Sequence, residues 1–245
     1  MKNVLLPEHS YMSEDIIEYK YFFALENKGK LNYSVKIRTS DLSLVVEDEK
    51  AKSAKWTDLD YHKCSNCPLN SKESPKCPVA MGLHQVTEFF SDDISFTKTK
   101  VTVAAEDRAY FKEASLQQTL SSIVGLIIAT SGCPHTIFFK PMARFHLPFA
   151  SQSDTLFRTF GAWLIRQYFE HKNGGDFDFD LKKLGEKYDS VTQMNVGLIE
   201  RIRSFTKGDA NRNALLVLHC FSGQVQNEIS ENLNELKSFF PELKK

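Results

Sequence analysis

The chain has 245 residues, 42% of them hydrophobic and 25% charged, enough apolar material for one large domain or two modest ones and too much for a chain dominated by disorder. Lysine plus arginine and aspartate plus glutamate both number 31, so there is no overall basic excess to hold nucleic acid or an anionic membrane surface. The opening apolar run stops at Pro7, short of a secretory core of about 7 to 15 residues, and no stretch approaches the roughly 20 apolar residues that span a bilayer; the expectation is a cytoplasmic protein.

The first third reads as strands. "EYKYFFAL" is rich in aromatics, "ENKGK" supplies a turn with a glycine, and "KLNYSVKIRT" alternates, with Leu31, Tyr33, Val35 and Ile37 on one face, which predicts a hairpin. Leu42, Leu44 and Val46 predict a third strand, followed by a charged, solvated connector, "EDEKAKSAK". A second hairpin is expected where Val101, Val103 and Ala105 alternate ahead of Glu106 and Asp107. The period then changes. Ser115 with Gln118 forms a capping box, and Leu116, Leu120, Ile123, Val124, Ile127 and Ile128 recur at helical spacing up to Ser131 and Gly132.

Three more helices are expected, over about 153–171, 180–207 and 210–240. The first turns Leu156, Phe160, Trp163 and Leu164 inward. Long helices joined by short glycine-containing turns favour antiparallel neighbours, so the expected fold is α+β: an N-terminal antiparallel β module (1–55), a Cys-rich segment with a β-hairpin (56–114), and a four-helix bundle (115–245).

The chemistry gathers in "YHKCSNCPLNSKESPKCPVA", which holds three of the five cysteines. Cys64-x2-Cys67 is a spacing at which a tight turn points two thiolates at one ion, and Cys77 returns across a small loop to give a third. Cys133, His62, His84 and His135 compete for the fourth position. Cys133 is favoured because it follows a helix stop and repeats the Cys-Pro pair of Cys67-Pro68 and Cys77-Pro78, where proline limits how the chain rearranges around the thiol. A closed four-thiolate site suits zinc, with a 4Fe-4S cluster or a reactive thiol pair as the alternative. Cys220, inside the apolar run "LLVLHCFSG", reads as a small buried hydrophobe.

Between the first two long helices, "SGCPHTIFFKPMARFHLPFAS" is too apolar for a solvated loop and concentrates His135, Arg144 and His146. Arg144 and His146 either serve loop carbonyls and helix ends or form an anion clamp with an acid/base group. Gln167, Asn195 and His219 interrupt otherwise apolar helix stripes, either as satisfied core groups fixing register or as the wall of a polar pocket that takes a small anion. Asp92-Asp93 and "GGDFDFD" read as solvated turns. No phosphate-cradling glycine loop, dinucleotide fingerprint, nucleophile elbow or H-E-x-x-H is present, so enzymatic activity stays open.

The blocks "CSNCPLN...CPVA", "SLQQTLSSIVGLIIATSGCP" and "KPMARFHLPFA", in this order over residues 56–205, resemble an uncharacterised bacterial domain-of-unknown-function family. The resemblance implies no activity. It implies that Cys64, Cys67, Cys77 and Cys133 occupy motif positions and that Cys220 does not.

Overall fold

The computed structural model describes residues 16–25 and 28–243; the N-terminal run read as lacking a secretory core and Glu26 and Asn27 of the first turn lie outside them. The first hairpin forms as expected, β1 (Ile16–Leu25) against β2 (Gly29–Arg38), with Leu25 opposite Gly29, whose φ of +74° is open to glycine without strain. β3 (Lys98–Ala104) and β4 (Ala109–Ser115) form the second. β1 also pairs antiparallel with β3, Tyr21 opposite Val103, so both hairpins join in one four-stranded sheet of order β2-β1-β3-β4. The Cys-rich segment is thus an insertion between strands of one sheet.

Alternation along β1 sends Ile17, Tyr19, Tyr21, Phe23 and Leu25 to one face, where all are buried, and leaves Lys20, Phe22 and Ala24 on the other. Helices cover the buried face. α2 (Pro78–Phe89) contributes Val79, Leu83 and Val86, and α3 (Leu116–Thr130) contributes Leu116, Leu120, Ile123 and Ile127 to the same core. Each such fully buried aliphatic side chain stabilises the fold by about 1.5–3 kcal/mol. α3 starts at the expected capping box of Ser115 and Gln118.

Three local expectations give way. Leu42, Leu44 and Val46 do not form a strand: Leu42 turns left-handed (φ 57°), Leu44 makes a single bridge to Ile37, and its N–H leaves the sheet for the Thr130 carbonyl at the end of α3 (2.8 Å). The charged connector is structured: Asp48 caps α1 (Glu49–Ser53) by accepting from the Lys50 and Ala51 N–H groups, and a 3-10 turn over Lys55–Thr57 buries Trp56. α2 itself was not anticipated.

The second half is helical: α4 (Lys140–Arg144), α5 (Gln152–Lys172), α6 (Lys182–Arg203), α7 (Ala210–Ser230) and α8 (Asn234–Lys237). The expected last helix breaks after Ser230, because Asn232 and Leu233 both take positive φ. α7 packs against α3 and α6, whereas α5 packs with α4 and α8 and shares a second apolar cluster with α6, built on Leu156, Phe160, Trp163, Leu184 and Tyr188. The result is a mixed α+β chain, with an antiparallel sheet and eight α-helices among the described residues. Leu164, expected inward, lies with Ile165 and Phe169 on the exposed side of α5.

The two acidic turns are solvated at Asp92, Asp176 and Asp180, but each buries one carboxylate. Asp178 is buried, accepts from the Trp163 indole N–H (3.0 Å), and receives the Lys183 and Leu184 N–H groups at the start of α6. Asp93 is buried and paired with Lys28 at 2.7 Å. Among the described residues, no helix is long and apolar enough to cross a membrane.

Candidate functional site

The Cys-rich insertion is fastened at both ends and in the middle. At its base, Cys77 N–H donates to the Thr57 carbonyl (2.8 Å) and Leu59 N–H to that of Pro75 (2.9 Å), which closes the loop and leaves Cys77 as the residue before Pro78, the first residue of α2. At its tip, Cys67 N–H returns to the Cys64 carbonyl (3.0 Å), the tight turn that the spacing predicts. The Asn66 amide donates to the Ser190 carbonyl on α6 (2.9 Å), and the Cys64 thiol points to that of Met194 (3.6 Å). Cys64 can lie this close because residue 197 is glycine. A Cβ there would stand 2.7 Å from the Cys64 sulfur and 3.0 Å from its Cα.

The fourth thiol arrives from α3. Cys133 follows Gly132, whose φ of +88° ends the helix, and its N–H donates to Ser131 Oγ (3.3 Å). Two residues on, His135 Nε2 donates to the Asn66 carbonyl (2.9 Å) and so ties the "SGCPH" segment onto the Cys64–Cys67 turn. Cys77 and Cys133 are buried in the main core, and Cys64 and Cys67 pack against it.

Burial pushes the Cys64 thiol up to about 12, and negative charge on Cys77, Cys67 or Cys133 would push it the same way; Arg201 opposes them. Cys133 rises to about 11, again chiefly by burial, with Cys77 and Cys67 adding to it. All five cysteines are free thiols, and among the described residues no three His, Cys, Asp or Glu side chains stand as a group close enough to hold an ion as they are oriented. Cys220 is exposed on α7, contrary to its reading as a buried hydrophobe.

Arg201 lies under this loop, and the sequence reading missed it. It is 1% exposed, and its guanidinium donates to the carbonyls of Trp56 and Asp58 (both 2.6 Å) and Leu59 (3.1 Å). Nε has no partner, and no carboxylate among the described residues forms an ion pair with it. The signal was available, since Arg201 occupies an inward position between Leu198 and Ile202 on α6.

The other expected site residues scatter. His84 is buried, bonds Asp48 through Nδ1 (2.6 Å) and stacks on Trp56, whereas His62 is exposed with φ 44°. Gln167 accepts from Asp178 N–H and donates to Glu170, a structural lock at the end of α5. Arg144 leans on the Phe145 ring and His219 keeps a buried Nδ1 without a partner among the described residues; neither lines the cavity between the long helices. His146 and Asn195 do.

That cavity, about 210 Å³, lies between α3, the segment 139–150, α5, α6 and α7. Its walls include Leu126, Phe139, Met142, Val191, Leu218 and Phe221; Arg158 of α5 is the cation among its polar groups, which include His146, Asn195, Gln118, Ser122 and Thr155. His146 Nε2 meets the Tyr21 hydroxyl at 2.8 Å and Ser122 Oγ at 3.4 Å, so β1, α3 and the apolar segment share one hydrogen-bonded knot.

Burial pushes His146 down to about 3, and the nearby Arg158 charge acts in the same direction. Its pKa is thus depressed in the folded state. Stability from this residue is complete above its unfolded value near 6.5 and is lost as pH falls from there toward 3, at up to about 1.4 kcal/mol per pH unit. Urea unfolding between pH 7 and 4 therefore falls more steeply for the wild-type chain than for His146→Gln. Equal slopes would show that the imidazole is hydrated and free to charge.

A family model described as Domain of unknown function (DUF6901) matches residues 17–241, nearly the whole chain and well beyond the 56–205 span of the three motif blocks. No curated protein and no solved structure matches. The chain belongs to that family of unknown function.

Proposed function

We propose that this member of the family is a metal-binding protein whose four thiols, Cys64, Cys67, Cys77 and Cys133, hold one zinc ion that pins the Cys-rich insertion to the end of α3 and the face of α6. The observation that carries the proposal is the bond from His135 to the Asn66 carbonyl, which seats the Cys133 segment on the Cys64–Cys67 turn. The donor set fits. Four thiolates around zinc leave a net negative charge, and the buried, carboxylate-free guanidinium of Arg201 is near enough to act on Cys64. Loading needs the Cys64 sulfur to leave the Met194 carbonyl and turn toward the other three. A divalent ion drives that step by replacing the thiol protons, of which those on Cys64 and Cys133 are held tightly by burial. The site then works as a structural clasp in a reducing compartment such as the cytoplasm, where thiols stay available.

Metal analysis of the purified, tag-free chain tests this. The expected result is near one zinc per chain, lost together with thermal stability in single Cys→Ser variants at 64, 67, 77 and 133 and unchanged in Cys220→Ser. Iron with a broad visible band would replace zinc by a 4Fe-4S cluster and make redox chemistry the leading reading. Metal retained in Cys133→Ser would remove Cys133 from the set, and no metal under any loading condition would overturn the proposal.

A further inference from the structure

We propose that the cavity between α3, α5, α6 and α7 binds a small apolar monocarboxylate, with Arg158 as its anchor. The walls are chiefly aliphatic and aromatic, which excludes sugars and nucleotides as fitting occupants, because their many hydroxyl or phosphate oxygens would be buried without partners. One cation lines the space. Arg158 Nη2 is fixed by the carbonyls of Met142 and Phe145, both at 2.8 Å, which sets the guanidinium plane; Asp154, one turn earlier on α5, is near enough to act on its charge but forms no ion pair with it, and among the described residues Nε and Nη1 make no bond.

With Nη2 spent on two carbonyls, Nε–H and Nη1–H remain as separate donors on one positive charge, which suits one carboxylate rather than a phosphate dianion, which would need further cations or an array of N–H groups. His146 adds no charge, since burial holds it neutral, but with Ser122 it puts imidazole and hydroxyl groups on the same wall as the cation. Deeper in, Asn195 Nδ2 reaches only Ser222 Oγ, at a long 3.5 Å. Size limits the tail. A cavity of about 150 Å³ takes benzene, so 210 Å³ takes a ligand of about ten non-hydrogen atoms, such as octanoate.

The sequence left Arg144 open as either a partner of loop carbonyls or an anion clamp. That residue lies in the apolar segment but off the cavity wall, and Arg158 is the cation that lines it. The site shares helices with the cysteine loop and yet rests on none of the thiols, so it stands whether or not zinc binds.

Calorimetric titration with octanoate and with neutral 1-octanol tests the proposal on the wild-type chain, Arg158→Met and Gly125→Leu. Wild type should bind octanoate at least about tenfold more tightly than octanol, and Arg158→Met should lose that preference while still taking octanol. Gly125 faces the cavity with only Leu218 within van der Waals reach, at 3.6 Å, so a leucine there has space to grow inward; Gly125→Leu should bind neither compound while melting at or above the wild-type temperature. Equal wild-type affinity for both compounds, unchanged octanoate binding in either variant, or no binding of octanoate at all would overturn it.

Discussion

Arg201→Met unfolds about 2–4 kcal/mol more easily than the wild-type chain, as read from urea midpoints. Two effects oppose each other. Removing a buried guanidinium relieves a desolvation cost of several kcal/mol. Against that, methionine fills much of the same volume and leaves the carbonyls of Trp56 and Leu59 without donors, since among the described residues Arg201 supplies the only hydrogen bonds these two make; Asp58 keeps a bond from Tyr61 N–H at 3.2 Å. A stranded buried carbonyl costs about 1–3 kcal/mol, and the lost bonds are charge-assisted and therefore stronger than neutral ones. The stranded groups outweigh the relief because they also hold the base of the Cys-rich insertion, which this fork ties to α6 beside the stacking of Trp56 on Phe205. Arg201→Lys should fall between the two, because one ammonium keeps the charge but lacks the span to satisfy three carbonyls. If Arg201→Met were as stable as wild type, the guanidinium would be retained for its charge and not for the loop. Zinc content separates the roles: the charge reading predicts that Arg201→Lys keeps the metal and Arg201→Met loses it, even where both fold.

The parts legible in the sequence were those where one local pattern decided the outcome. The period-2 stripe of "KLNYSVKIRT" and the Ser115–Gln118 capping box gave β2 and α3 nearly to the residue, because burial of one face and satisfaction of the first N–H groups are both local. α2 was missed although Pro78 at its first position and Val79, Leu83, Val86 and Phe90 carried the signal, since Gly82 interrupts the run; that glycine is where Leu44 of the preceding segment and Ile127 of α3 close in. The same contact draws 42–46 out of the sheet. No local rule encodes it. The thiols behave likewise: the Cys64–Cys67 turn follows from spacing, whereas the seating of Cys133 beside it depends on a bond between residues 66 and 135. Arg158 was invisible because nothing in α5 distinguishes it from a solvated arginine until the segment 139–150 folds over it and presents two carbonyls.

Gly197→Ala reverses the usual sign of a glycine-to-alanine change in a helix. In an open helix interior alanine stabilises by up to about 1 kcal/mol relative to glycine. That result is expected at Gly161 in α5 and Gly223 in α7, where nothing lies within 4 Å of the added Cβ. At Gly197 the new methyl would meet the Cys64 sulfur at 2.7 Å, its Cα at 3.0 Å and its Cβ at 3.2 Å, and a backbone atom cannot step aside as a flexible side chain can. The insertion must lift from α6. The Cys64–Met194 and Asn66–Ser190 contacts are then strained together, for a net loss of about 1–3 kcal/mol typical of overpacking. A double-mutant cycle with Cys64→Ala locates the clash: removing the sulfur relieves the shortest contact but not the one to Cα, so the penalty should shrink without vanishing. Metal content gives the functional half of the result, because a loop displaced from α6 carries Cys64 away from Cys77 and Cys133. Gly197→Ala is therefore expected to lose zinc while Gly161→Ala and Gly223→Ala keep it, and a Gly197→Ala chain that melts as high as the two controls would mean that the insertion does not rest on α6 at all.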